Sequence, residues 1–420
     1  MKKFLFGLLI TIGFAAEAQL PYNNEWIDYS KTHYKFKVGR TGLYRILQST
    51  LASVGLGSTP AQNFKLWRNG VEVPIYTSVQ SGAFGASDYI EFWGEMNDGA
   101  PDTELYRVAD YHLNKKWSLE TDTAAYFPTV HVGVNKRLTT TANNIAGNSL
   151  PAEPFFMYTA GNYFRNKIHS GYAVNVGEYL YSSSYDKAEG WSSSDIGTGA
   201  TQSTSLNNLF VYTGNGAPGA RFNIAVSGNA IHPRTYKAVI NSDSVLGNNV
   251  DYFNYTRDTG TVNLSTIASG TANVLVTNQC VNPNDRMVVH YYELTYPRQF
   301  NFGGANTFEF TMPASAQGNY LEISGFNYGS GTPVLYDMTN GQRYVADVSN
   351  PSLVRVVLQP SSTTRKLVLV NQDATNITAL ESRNFIDYRT AANQGDFIII
   401  TNPVLFNGPN GTNPVEDYRA

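Results

Sequence analysis

Cysteine is nearly absent from this 420-residue sequence, in which Cys280 stands alone. A lone cysteine closes no internal disulfide, so a fold formed in an oxidising space would form without covalent staples. Charge is scarce as well. Lys, Arg, Asp and Glu supply 15% of the residues, against about 25% in ordinary soluble domains, so the surface must be wetted by Asn, Ser, Thr, Gly and Tyr. Coiled coils and helical repeats are excluded, because they need Ala, Glu, Lys and Leu at a period of 3.5 or 3.6. Positive charge is not in excess: 30 Lys+Arg stand against 33 Asp+Glu, a net charge of -3. That leaves no basic field to displace counterions from a phosphate backbone and argues against nucleic acid as a partner. After Phe14 no apolar run approaches the roughly 20 residues of a membrane-spanning helix, so no transmembrane span is expected in the mature chain.

The N-terminus has the pattern of a secretory signal. Lys2 and Lys3 precede an apolar stretch from Phe4 to Phe14, and Ala16-Glu17-Ala18 offers a small-residue cleavage site before Gln19. Residues 1–18 are therefore read as a signal peptide, and the mature chain as secreted or held at the outer membrane or cell surface.

The mature chain consists of short alternating segments between turn residues, which predicts a mainly β protein. Tyr34–Val38 and Leu43–Ile46 flank Gly39 to Gly42 and read as an antiparallel hairpin, followed by a short helix within Leu47–Gly55. A second hairpin joins Phe64–Trp67 to Val71–Val73 through Asn69-Gly70, a dipeptide that tolerates positive φ at both turn positions. Asp88–Trp93 alternates again. Residues 139–154 lack periodicity and concentrate small polar residues and Pro.

Further strands are predicted at 221–226, 236–240, 272–276, 287–294, 307–310, 320–323, 353–358 and 366–370, with a hairpin turn at Asn340-Gly341. Such spacing favours sandwich or jelly-roll domains. The expected organisation is a β-rich domain over 19–145, a linker over 146–154, and one large or two small sandwiches over 155–390. The continuous apolar run Asp396–Thr401 reads instead as a parallel strand buried on both faces. Asn413 and Pro414 then read as a helix start. Residues 391–420 are thus expected to open an α/β domain that continues past residue 420.

Few residues suggest chemistry. Cys280 and His290 invite a thiol–imidazole dyad, but both lie in strand-like segments and read more simply as sandwich residues. His33, His112, His131, His169 and His232 are scattered without zinc-ligand spacing. Asp98, Asp102 and Glu104 share a Gly/Pro loop that lacks the EF-hand pattern and reads as turn-forming. Ser182–Ser184 and Ser192–Ser194 flank Trp191 with no nucleophile elbow. No catalytic, cofactor-binding or metal residue is assigned, and no cofactor is expected. The 28 Tyr and 5 Trp read chiefly as strand residues with an apolar body and a polar tip, and secondarily as a sugar-binding face.

Several segments together resemble one family. Tyr34–Val38 with Thr41–Ile46, Asp88–Gly94, Asp102–Tyr106, Asp122–Phe127, Lys187–Trp191 and Glu293–Arg298, in this order, are similar to the non-catalytic N-terminal region of gingipain-family cysteine peptidases, in particular the type IX secretion sortase-like members. The resemblance implies a caspase-like domain whose first strand is Asp396–Thr401, with catalytic His and Cys beyond Ala420. It also implies a full-length product that is a cysteine endopeptidase, acting on other exported proteins. On this expectation the present chain is inactive by itself and its partner is the downstream peptidase domain in cis. The alternative is a cell-surface β-sandwich binding module or adhesin for a glycan or protein.

Overall fold

A computed structural model describes residues 24–182, 185–402 and 406. The signal segment, the helix start after Asn413, and Ser183 and Ser184 lie outside the described residues. Strand dominates, as the alternation predicted, and no helix among the described residues is long and apolar enough to cross a membrane. Of the described residues, 34–381 form one compact unit, and the segments 24–33 and 382–402 form another.

The larger unit contains three sandwiches. In the first, the strands His33–Val38, Ala124–Val130, Phe64–Arg68 and Val71–Val73 lie in that order in one sheet. The facing sheet runs Thr375–Ile377, Gly42–Leu47, Tyr89–Gly94 and Tyr76–Thr77. Between them Phe36, Val38, Tyr44, Ile46, Phe92 and Tyr126 close a core rich in aromatic contacts. The expected hairpin of 34–38 with 43–46 is therefore corrected. Phe36 pairs with Tyr126 in one sheet, while Tyr44 pairs with Phe92 in the other. The Gly39–Gly42 corner carries the chain across the core instead of folding it back, so that Phe36 and Tyr44 enter one core from opposite sheets. The second hairpin forms as read, with Arg68 opposite Val71 and with Asn69 and Gly70 at φ of 47° and 75°. The short helix is Gln48–Ser53.

In the second sandwich the 13-residue strand Arg286–Arg298 pairs with Ala220–Gly228 on one side and with Ile196–Gly197 and Phe156–Tyr163 on the other, and Tyr255–Val262 extends the sheet. The opposing sheet is Thr201–Leu206, Ala272–Asn278, Thr235–Ile240 and Asp243–Asn249. The third sandwich places Thr307–Met312, Arg365–Val370, Val334–Asp337, Gln342–Val345 and Thr139–Thr141 against the pair Asn319–Ile323 and Val354–Leu358. The aperiodic 139–154 segment thus opens with a short strand, parallel to Gln342–Val345.

The first and third sandwiches share a layer. Leu43 and Trp93, on the outer face of the Gly42–Leu47 sheet, pack against Val334, Tyr336, Val368 and Val370. Glu91 is fully buried in this seam. Its carboxylate accepts from Arg45 Nε and Nη2, both at 2.7 Å, and from the Tyr336 hydroxyl, with Arg343 Nε at 3.8 Å. Burial, with Glu91 beside it, pushes the Tyr336 phenol well above its ordinary range, so the phenol stays protonated and donates.

In the smaller unit Trp26, His33 and Phe385 pack edge-to-face, with centroids 5.2–5.6 Å apart. The apolar run 396–401 is neither strand nor buried: Ile398 is 87% and Ile400 93% exposed. This corrects the expected buried strand. An extended segment needs neighbours on its edges and faces to bury backbone and side chains, and the described residues provide none for it.

Glu91→Ala would leave Arg45 and Arg343 facing a buried seam without their counter-charge. Urea unfolding of this variant is expected to show a loss of about 3–5 kcal/mol; a loss under about 1 kcal/mol would show that the seam does not depend on the carboxylate.

Candidate functional site

The residues that invited catalysis are not brought together. Cys280 is buried; its thiol donates to the Pro233 carbonyl at 3.3 Å and its N–H to Asn278 Oδ1 at 2.9 Å. His290 is fully buried elsewhere, with Nδ1 3.1 Å from the Trp191 carbonyl and Nε2 2.8 Å from Ser227 Oγ. A carbonyl can only accept, so Nδ1 carries the proton and Ser227 donates to Nε2. This Ser–His contact resembles the start of a nucleophilic relay, but both residues have no exposed surface, and a nucleophile must meet its substrate. His169 lies against His290, with ring centroids 5.7 Å apart; its Nδ1 is 3.0 Å from the Ala188 carbonyl and 3.1 Å from the Gly171 N–H, and its Nε2 is 3.3 Å from the Gly228 carbonyl.

Burial holds these imidazoles neutral. It lowers His169 to about 4 and His112 to about 4, and drives His290 well below its ordinary value, with the neighbouring His169 adding to the effect. His112 stacks on Tyr106 at 4.5 Å and bonds Thr103; His131 bonds Asn135 at 2.9 Å. His33 sits in the aromatic cluster of the smaller unit and His232 is half-buried.

The acidic loop satisfies itself. Asp102 accepts from Ser118 Oγ and from the Leu119 N–H, and Asp98 accepts from the Ala100 N–H. Among the described residues no three His, Cys, Asp or Glu side chains gather as a metal-binding group. Ser192 and Ser193 are fully buried, and Ser193 Oγ accepts from the Val289 N–H. They are parts of the second sandwich's scaffold.

What the fold does open is a polar cleft of about 530 Å³ on the outer face of the Arg286–Arg298 sheet, lined by Asp110, His112, Lys115, Lys116, Tyr163, Arg257, Tyr291 and Glu293 among others. Strand alternation creates it. Tyr292 and Leu294 point into the core, so Tyr291 and Glu293 must point out. Tyr291 is paired in register with Tyr163, and their rings stack at 5.9 Å. Tyr163 donates its hydroxyl to Glu293, and Lys116 Nζ lies 5.8 Å from the Tyr163 centroid. The wall is the segment carrying Asp110 to Lys116, tied down by Arg257, which pairs with Asp110 and donates to the His112 carbonyl at 3.2 Å. Beside the cleft, the Arg165 guanidinium lies 5.0 Å from the Trp117 ring and 4.9 Å from the Trp191 ring, and pairs with Asp122 at 2.7 Å. The alternation of Met287–Leu294 already placed Tyr291 and Glu293 on one face; the wall from 110–116 carried no signal in the sequence.

Because the unfolded chain takes up protons below about pH 6.5 that buried His169 and His290 refuse, stability is expected to hold above pH 6.5 and to fall toward pH 4, by about 1 kcal/mol per histidine per pH unit. Urea midpoints at pH 7 and pH 5 check this, and His169→Gln should flatten the difference. Equal midpoints in the unmodified protein would contradict it.

No family model and no curated protein sequence matches the chain. Among solved structures, the fold is similar to that of dimeric latent PorU from Porphyromonas gingivalis, with a TM-score of 0.50 and 11% identity, over 84% of this chain and 33% of that one. The chain therefore spans about a third of PorU's length. A CBM36-1 domain of a multidomain xylanase from the hindgut metagenome of Trinervitermes trinervoides matches 33% of this chain and 96% of its own, at 10% identity and a TM-score of 0.20. At 11% identity the property shared with PorU is fold: a PorU-like, mainly β chain, with no membrane-spanning helix among the described residues.

Proposed function

We propose that this chain is the accessory β region of an exported, gingipain-like cysteine endopeptidase of the type IX secretion sortase kind, and that it positions or covers a peptidase domain encoded downstream. The observation that carries the reading is the extent of the likeness: one PorU chain accommodates 84% of this chain in a single alignment while two thirds of PorU remain unmatched. Support also comes from Cys280 and His290, each of which is committed to separate buried partners. The exposed 396–401 run, with Phe397 63% accessible, suits a segment that needs further strands to cover it. Export through the N-terminal signal, and action on other exported proteins, belong to this proposal.

The test is twofold. The reading frame beyond codon 420 is expected to continue for several hundred residues with a His-Gly and then a Cys. The purified chain is expected to cleave no peptide substrate. Peptidase activity that disappears in Cys280→Ala would overturn the reading.

A further inference from the structure

The outer face of the Arg286–Arg298 sheet is polar and accessible well beyond the cleft. Its rows run from Tyr163, Tyr291, Ala225 and Arg257, where Ala225 is buried in an apolar cluster with Leu113 and Ala188, through Gly161, Glu293, Asn223 and Thr259 to Thr159, Thr295 and Arg221, as the pairing registers dictate. Threonine and asparagine side chains on it bond one another: Thr159 to Thr295 at 2.8 Å and Thr259 to Asn223 Oδ1 at 2.9 Å. Gly161 leaves a bare strip of backbone beside them, where an added Cβ would meet the Tyr292 carbonyl at 2.9 Å.

We propose that this face, with the cleft at its end, binds an acidic saccharide. Three features point to that chemistry. Tyr163, half-buried and stacked on Tyr291, is the aromatic ring at the cleft against which the C–H face of a pyranose can pack. The Thr, Asn and Glu side chains along the face match a ligand that carries many hydroxyls, and the two rows beyond the cleft carry no apolar side chain of the kind that centres a protein interface. The charge is cationic against the chain's average: among the described residues that line the cleft and the three rows, Lys115, Lys116, Arg221 and Arg257 stand against Asp110 and Glu293, in a protein of net charge -3. Arg257 is engaged with Asp110. Lys115 and Lys116 are exposed and form none of the ion pairs found among the described residues. Their ammonium groups are placed to receive a sugar carboxylate or sulfate at the mouth of the cleft, with the ring on Tyr163 and Tyr291. The site is independent of the peptidase reading and would serve the chain equally as accessory region or as surface module.

Isothermal titration of the purified chain tests it, with oligogalacturonate and a sulfated galactan oligosaccharide as the two acidic sources, methyl-esterified oligogalacturonate as the neutral sugar, and polyglutamate as carboxylate without sugar. At least one acidic saccharide is expected to bind at least about tenfold more tightly than the neutral sugar and polyglutamate. The doubly substituted Lys115→Glu, Lys116→Glu chain should lose that preference with its melting temperature unchanged, since both residues are exposed. Tyr163→Phe keeps the ring and should hold affinity within about threefold, whereas Tyr163→Ala should lose about tenfold. Equal binding of polyglutamate, no binding of either acidic saccharide, or binding unaffected by the lysine reversals would each overturn the proposal.

Discussion

The arrangement of the larger unit turns on one buried anion. Glu91 sits at the centre of a strand whose two faces serve different cores. Its carboxylate has no water to fall back on, so Arg45 from its own sheet and Tyr336 and Arg343 from the next sandwich must all be present. A buried ion pair adds little net stability over a hydrophobic replacement, but breaking one is expensive. The consequence is geometric: a slide of one sheet past the other by a single residue would turn Tyr336 away and strand the charge. Apolar contacts such as Trp93 against Val368 and Val370 would tolerate that slide far better. The same logic recurs in the second sandwich, where Arg234 is fully buried, holds Asp285 through Nε and Nη2, and donates to the Val250, Tyr252 and Ala230 carbonyls.

Much of the fold was legible because buried strands advertise themselves. The segments around 221–226, 236–240, 272–276, 287–294, 320–323 and 366–370 all lie within strands, since large apolar residues alternating with polar ones match the two-residue repeat of a strand and not the 3.6-residue period of a helix. Two of the unread strands are polar. Thr201–Leu206 and Asp243–Asn249 are held by pairing to apolar neighbours, with one face in water, so their own composition gives no alternation to find. The Gly39–Gly42 corner is illegible for a different reason: a turn and a crossing between sheets require the same residues locally, and only the partners of Phe36 and Tyr44 distinguish them.

Site chemistry was less legible, and for a topological reason. Cys280 and His290 are near in sequence and served by different partners, while the cleft assembles Asp110, Tyr163, Arg257 and Tyr291 from four separate stretches. Register, not spacing, brings Tyr163 to Tyr291. The 396–401 run shows the converse. Its composition is that of a buried strand, but burial is a property of what surrounds a segment.

The first sandwich is finished by the last strand of its unit. Tyr44–Ile46 pairs in parallel with Thr375–Ile377, and Thr50 Oγ1 reaches the Ile377 carbonyl at 3.1 Å across 327 residues. A chain emerging N-terminus first therefore carries an open sheet edge until residue 377 has emerged. Such an edge is a template for wrong partners, and contacts so distant in sequence form slowly. Folding of this sandwich is thus gated by arrival: its Gly42–Leu47 sheet stays unsealed until residue 377 is delivered, which couples completion of the N-terminal core to a strand made more than 300 residues later.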